Sequence, residues 1–512
     1  MKSLLTITAL LLVTFLNAQD IPLHDYWNRE TERVQLNQPT GYITSYKPLL
    51  QSQTRFQEFS AQSKDTVPYY WDITRILFRD HWLAYKKEDV FITVDPWVDF
   101  SFYKDQINTA YNQKVGNLYN NSRGAWVQGR IGSNFSFHTA FSENQSVFPF
   151  FMSSLSDSLN VIPGMGRFKA FKKYGFDYAI SSSNINFDPH SKLQISLGYG
   201  RQMIGNGYRS ILLSDAAMNY PMVSARYSGK WFTYISSIAL LQEQQRLPLG
   251  STSESLFKRK LGSWNYFVIT PHPNLEIGAM ESVAYSIWNS KGRQAPHYSV
   301  YIPIIGARSL FSSNEKCVTM YGLNAKWNAF HQFTLYAQYA LMINSSKSTG
   351  LQAGVLFNNF LTQNLDVRIE FNTTSPYMYS TNLDLLSYTQ QQQTLGHPSG
   401  GDMNEWLVRV DYEKKRYLLH ADIHQINQTI ASSSDPYQQQ FFTGQKGSRS
   451  LLQWQLQLGY LINPKVHLCA WVGYTSREDV RSFSSNLPRS SFNASLFTIN
   501  LSSALGSRYF DF

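Results

Sequence analysis

His420, Asp422 and His424 recur at every second position, a spacing that sets all three side chains on one face of an extended strand, with Leu419, Ala421 and Ile423 on the other. Neighbouring members of such a set lie about 7 Å apart, near enough for two of them to chelate a metal. They could equally form the acid–base half of a hydrolase, given a serine from an adjacent strand. A third reading makes them the wet lining of an enclosed space. Asp366, Arg368 and Glu370 share a face in the same way, opposite Val367 and Ile369, and Arg409, Asp411 and Glu413 repeat the mixed signs. No G-x-S-x-G, H-E-x-x-H or C-x-x-C pattern accompanies them, and Gly205-Asn206-Gly207 lacks the Lys-Ser/Thr of a phosphate loop. No catalytic group, metal or cofactor is therefore expected.

Such sets need elements with water on one side and an apolar medium on the other. Phe333, Leu335, Ala337, Tyr339 and Leu341 interleave with Thr334, Tyr336, Gln338 and Ala340. Leu452, Trp454, Leu456, Leu458 and Tyr460 interleave with Gln453, Gln455, Gln457 and Gly459. A row of glutamines does not suit a dry sandwich core, where every amide would need partners. A charge facing lipid would cost about 2 to 4 kcal/mol at the membrane midplane. The apolar faces are thus expected to meet acyl chains and the polar faces an enclosed lumen, as in an all-β, transmembrane antiparallel β-barrel of the bacterial outer membrane. Phe512, at the end of the sequence, fits the last strand of such a barrel. Opposite charges inside could pair across strands and fill the lumen, which is the expectation, or line an open channel.

Met1 to Ala18 carries Lys2 ahead of an apolar run from Leu4 to Leu16, too short for a span. Residues 1–19 read as a signal peptide. Residues 20–89 do not alternate. Tyr69 to Lys87 places Ile73, Ile76, Leu77 and Trp82 at near-helical spacing, so 20–89 is expected to be a partly helical periplasmic or plug segment. Strands begin near Phe91, giving a barrel over 90–512 that accommodates roughly 16 to 20 strands, about 18 as the central value. Glu243 to Lys260, Gln390 to Asp402 and Ser432 to Ser450 are polar and read as outer loops. Aromatic residues are 15% of the chain and charged ones 16%, a balance suited to a wall in lipid. The net charge of +10 favours anionic partners, phosphorylated lipid headgroups or acidic polysaccharide; nucleic acid is a poor partner for an exported chain. The two cysteines, Cys317 and Cys469, cannot make a disulfide framework and are expected unpaired.

The stretch Gly198-Tyr199-Gly200-Arg201-Gln202-Met203-Ile204-Gly205-Asn206-Gly207-Tyr208-Arg209-Ser210-Ile211-Leu212-Leu213-Ser214-Asp215, followed by Asn219-Tyr220-Pro221, resembles the most characteristic segment of the Wzi-like capsule-assembly outer-membrane proteins. The Bacteroidetes gliding-motility proteins of the RemB type look like relatives of that set. Pro22-Leu23-His24-Asp25-Tyr26-Trp27, with Lys47-Pro48 downstream, is similar to the mature N-terminus of those Bacteroidetes members. The resemblance implies a barrel of about 18 strands with a helical element on the periplasmic side, attaching exported polysaccharide to the cell. For the motility relatives it implies a part in surface movement, with gliding or secretion machinery as partners. The positions it carries over are Gly205, Gly207, Tyr208, Arg209, Ser210, Ser214 and Asp215. By their chemistry, the glycines permit a tight backbone path, and Arg209 with Asp215 could lock a strand end by an ion pair. Alternatively, Tyr208 could stack on a sugar ring while Arg209 and Asp215 bond its hydroxyls or carboxylates. Three function classes follow: a polysaccharide-binding barrel, a porin or nutrient channel, and an outer-membrane hydrolase.

Overall fold

Side chains that alternate between apolar and polar commit a backbone to strands with unlike faces, and in the computed structural model eighteen such strands close into one antiparallel barrel. The structure describes residues 20–37, 43–50, 71–246, 257–289, 292–293, 295–308, 317–330, 332–343, 347–381, 386–431, 446–483 and 490–512. The first half of the wall is β1 (Val90–Asp105), β2 (Leu118–Ile131), β3 (Phe135–Val147), β4 (Gly175–His190), β5 (Leu193–Gly200), β6 (Tyr220–Ser228), β7 (Phe232–Arg246), β8 (Phe257–His272) and β9 (Leu275–Ser286). The second is β10 (Cys317–Ala329), β11 (Phe333–Ile343), β12 (Lys347–Phe357), β13 (Leu365–Thr374), β14 (Met403–Lys414), β15 (Tyr417–Ala431), β16 (Lys446–Asn463), β17 (Leu468–Phe483) and β18 (Ala494–Ser502). The cylinder closes where β18 meets β1, with Leu496 opposite Asp105 and Ser502 opposite Asp99.

The period-two reading holds on the wall. Leu335, Tyr339, Trp454, Leu456 and Leu458 are exposed on the outside, while Tyr336, Gln338 and Gln453 between them are buried inside. Short turns such as 132–134, 191–192 and 415–416 join strands at one end, and long connections such as 148–174, 201–219 and 375–402 at the other. In a barrel of this kind the short-turn end is periplasmic.

The interior has two halves. Beside β6 to β11 it is apolar: Ile211, Leu212 and Leu213 from the β5–β6 connection pack with Trp264, Tyr266, Met320 and Met342. Among them β7 to β9 bury apolar groups such as Ile235, Leu241, Trp264 and Met280 on the lumen face and present others to lipid, so their alternation is weak in the sequence. Beside β13 to β17 the interior is ionic.

Among the described residues the α-helices are α1 (Asp25–Asn37), α2 (Asp72–Phe78), α3 (Thr109–Val115) and α4 (Phe150–Leu159). Several expectations need correction. The short helix expected within Tyr69 to Lys87 is α2, which carries Ile73, Ile76 and Leu77, whereas Trp82 lies beyond it and Leu83–Lys87 pairs back on β1, Leu83 opposite Val94. Phe512 does not end a strand: β18 stops at Ser502, and 503–512 turns back into the lumen, where the buried Phe512 accepts a hydrogen bond from Arg477 Nη2 at 3.3 Å. Gln390 to Asp402 belongs to an outer connection, as expected, but folds inward and does not face solvent. Gln390 Oε1 accepts from the Gln242 N–H at 2.8 Å and Gln393 Oε1 from the Gly164 N–H at 2.7 Å, so the glutamines are buried. The signal peptide expected over 1–19, and 247–256 and 432–445 of the other two expected loops, lie outside the described residues. Neither Cys317 nor Cys469 is in a disulfide.

A lysine at Leu456, on the lipid face, should destabilise the barrel by about 2 to 4 kcal/mol, and one at Gln455, facing the lumen, by far less. Urea unfolding in lipid vesicles measures both; equal costs would mean the faces are wrongly assigned.

Candidate functional site

Strand register creates a problem that the interior must solve. On β13 and β14, Asp366 stands opposite Asp411 and Arg368 opposite Arg409, and like charges directly opposed destabilise a sheet. The opposite-sign pairing expected across wall strands therefore does not form here. The neutralising charges come from α1, whose residues 25, 29, 32 and 33 share one helical face. Arg29 is ion-paired to Asp411 and its Nε lies 3.7 Å from Asp366. Arg33 Nη2 is 2.7 Å from Asp366, Asp25 is 3.0 Å from Arg409 Nη2, and Glu32 is 3.1 Å from Arg368 Nη2. The helix is thus a plug seated in the lumen, and Trp27 fixes its start by donating from Nε1 to the Ala504 carbonyl at 2.6 Å.

The β5–β6 connection descends beside it. Gly205 has φ +148°, and a Cβ there would meet Gln338 Nε2 at 2.4 Å; at Gly207 it would meet Glu370 Oε2 at 2.5 Å. This close approach lets Glu370 accept from the backbone N–H groups of Tyr208 at 2.8 Å and Arg209 at 3.2 Å, and from the Tyr336 hydroxyl at 2.7 Å. Arg368 Nη1 donates to the Asn206 carbonyl at 2.8 Å. Ser210 donates to the Ile204 carbonyl at 2.5 Å and Ser214 to that of Gly396 at 2.6 Å.

The ion pair considered between Arg209 and Asp215 is absent. Arg209 instead lies 3.1 Å from Asp511 and 3.5 Å from Glu405, while Asp215 accepts from the Tyr509 hydroxyl at 2.9 Å. The C-terminal tail supplies both partners, and its residues Arg508, Tyr509 and Asp511 are functional positions that sequence reasoning missed. The available signal was a polar Arg508-Tyr509-Phe510-Asp511-Phe512 end that does not alternate like a strand.

His420, Asp422 and His424 do share the lumen face, within a string of acids and imidazoles. His420 places Nδ1 2.9 Å from Asp411 and Nε2 2.7 Å from Asp422. His424 Nε2 is 3.0 Å from Asp422 and 3.4 Å from Asp511, and Nδ1 is 3.7 Å from Glu405, which also meets His397 Nε2 at 2.7 Å. With both nitrogens of His420 on carboxylates, no lone pair is left to bind a metal or activate a serine. Among the described residues no three His, Cys, Asp or Glu side chains converge as a metal site.

Between α1, the tail and β14 to β18 lies a cavity of roughly 390 Å³, lined among others by His24, Tyr208, Arg409, Asp422, Gln455 and Arg508. Tyr208 is the motif residue that reaches it, its ring 4.0 Å from the Arg409 guanidinium and its hydroxyl donating to Asp511 at 2.8 Å. Burial alone would raise the carboxyl of Asp25, but Arg409 and Arg29 hold it below the usual carboxylate range; Arg209 and His424 do the same for Asp511. Burial pushes the His24 imidazole from 6.5 to about 4, with Arg409 and Arg29 adding to the effect and Asp25 opposing it.

No protein-family model matches the chain, and no curated protein matches it in sequence. Among solved structures it is similar to Wzi of Escherichia coli, described as a carbohydrate-binding β-barrel involved in group 1 capsule assembly, with a TM-score of 0.55 and 13% identity over 96% of this chain and 100% of that one. A BenF-like porin of Pseudomonas fluorescens matches with a TM-score of 0.44 and 9% identity over 80% of this chain and 98% of that one. OpdO of Pseudomonas aeruginosa gives 0.42 and 10% over 81% and 96%. At these identities the likeness is one of fold. Its closed wall, its apolar outer belt and the likeness to Wzi make the chain a bacterial outer-membrane β-barrel. Its lumen is occupied by its own chain.

Arg29→Ala should leave Asp366 and Asp411 facing each other with one counter-charge fewer, weakening plug docking by about 3 to 5 kcal/mol. Limited proteolysis would then cut within 20–37 while the wall stays resistant; continued protection would refute the role given to Arg29. Docking should also weaken in acid. His24, depressed in the folded state, contributes stability that is complete above 6.5 and lost as pH falls toward about 4, and the depressed carboxyls of Asp25 and Asp511 withdraw theirs at still lower pH. Hydrogen exchange of 20–37 at pH 7 and pH 4 reads this directly, and equal protection at both would contradict it.

Proposed function

We propose that this barrel binds exported polysaccharide and anchors it at the cell surface without altering it chemically, with outer-membrane lipid and surface polysaccharide as its partners. The observation that carries this reading is the filled lumen. The wall charges Asp366, Arg368, Arg409 and Asp411 are engaged by α1, so they serve a fixed scaffold and not a moving solute. The fold likeness to a carbohydrate-binding barrel over nearly the whole chain and the motif around Gly205 to Asp215 support the same reading. His420, whose nitrogens both face carboxylates, supports a role that leaves the polymer unaltered. The similarity of Pro22 to Trp27 to the gliding-motility relatives adds a companion role in surface movement, with gliding or secretion proteins as further partners.

Deletion of the gene should reduce surface-retained polysaccharide, and the same strain scored for cell spreading tests the motility role; a strain normal in both assays would remove both. The cavity of roughly 390 Å³ favours a nutrient channel as the second reading. Planar bilayers separate the two, since the plugged barrel should stay electrically closed and a channel would conduct steadily.

A further inference from the structure

Beyond α4 the β3–β4 connection ends in a small hairpin, in which Lys169–Phe171 pairs with Gly175–Asp177. From residue 167 to 177 it reads Arg-Phe-Lys-Ala-Phe-Lys-Lys-Tyr-Gly-Phe-Asp, four cations to one carboxylate. Arg167, Lys169, Lys172 and Lys173 are all exposed, as is Lys114 of α3 on the neighbouring β1–β2 connection. Among the described residues none of these five is ion-paired, in contrast to Arg29, Arg33, Arg368 and Arg409 in the lumen.

Aromatic rings hold the cations together. The Lys114 and Lys173 ammoniums lie 5.2 and 5.1 Å from the centre of the Tyr174 ring, Lys172 lies 5.2 Å from that of Phe171, and the Arg167 guanidinium lies 4.5 Å from that of Phe257. Contacts of this kind gather positive charges without neutralising them. The base of the hairpin is fixed as well: Phe168 meets Phe176 edge to face at 4.7 Å, and Ile162 and Met165 beneath it are buried. Like charges assembled on a fixed support, four cations to the single carboxylate of Asp177 with Lys114 beside them, form a place for a polyanion.

Position decides which polyanion. The Asn160 carbonyl accepts from Gln244 of β7 at 3.4 Å, the Gly164 N–H donates to Gln393 at 2.7 Å, and Arg167 rests on Phe257 at the start of β8, four strands from β4. The connection therefore reaches across the mouth of the barrel over residues 160–167, and its hairpin then returns to the rim at the start of β4, on the long-connection side. Of these cations only Arg167 is held across the mouth, on Phe257, and a row of exposed cations running from there to the rim matches the repeated charges of an extended polymer.

We infer that the hairpin from Arg167 to Lys173, together with Lys114, is a binding site for acidic polysaccharide. Sugar carboxylates meet the ammoniums, and repetition along the polymer multiplies individually weak contacts. This rests on the polysaccharide-binding reading above and names the class of polymer and where it binds.

The test uses the full-length barrel in detergent with polygalacturonate as the acidic probe and dextran as the neutral one. Polygalacturonate should bind and dextran should not, and binding should weaken with added salt. The combined variant Lys169→Gln, Lys172→Gln, Lys173→Gln should bind roughly tenfold more weakly, the scale of losing three exposed charge contacts. The Lys→Arg variant at the same positions should keep its affinity, which excludes a folding defect. Unchanged affinity in the Gln variant would overturn this site and leave the broader reading intact. Failure of the native barrel to hold either polymer would bring down both. Binding only to vesicles containing lipid A would overturn the site in favour of membrane phosphate.

Discussion

The structure turns on a mismatch within its own wall. Asp366 faces Asp411 and Arg368 faces Arg409 on adjacent strands, so this sector of the sheet is electrostatically unfinished until α1 lays Arg29, Arg33, Asp25 and Glu32 against it. Burying charges carries a desolvation penalty that offsets much of the attraction, while stripping a partner from a buried pair is expensive. The network therefore does less for total stability than for the uniqueness of docking: one position of the helix satisfies every sign.

Shared residues tie the remaining inserts to that position. Arg368 holds Glu32 of the helix and the Asn206 carbonyl of the β5–β6 connection. Arg409 holds Asp25 and covers the Tyr208 ring, and Tyr208 and Arg209 in turn hold Asp511 of the tail. Helix, connection and tail thus form one body, and Gly205 and Gly207 are glycines because that body is pressed against Gln338 and Glu370. The motif is mainly the keystone of the plug, with only Tyr208 turned toward free space.

Parity along a strand was legible from residues alone, since period two assigns each side chain to lipid or lumen whatever its neighbours are. Asp366, Arg368, Glu370, Arg409, Asp422 and His424 are all buried inside. Partnership was not legible. Arg209 and Asp215 are six positions apart in the sequence, yet each bonds a residue near 510, a relation fixed by how the tail returns and invisible to local spacing. The tail was obscured further by Phe512, which imitates the end of a last strand. Strands β7 to β9 alternate poorly because Ile211, Leu212 and Leu213 give their lumen faces an apolar partner. The run of glutamines after Thr389 looked solvent-facing for the opposite reason: its amides find partners indoors.

The return of residues 503–512 bears on how such a barrel is made. Strand β1 begins and β18 ends toward the short-turn side, and just beyond β18 the tail meets the plug, where Trp27 touches Ala504. Neither the plug helix nor residues 503–512 has to be threaded through a finished cylinder, since both can be enclosed as the seam between β18 and β1 zips shut.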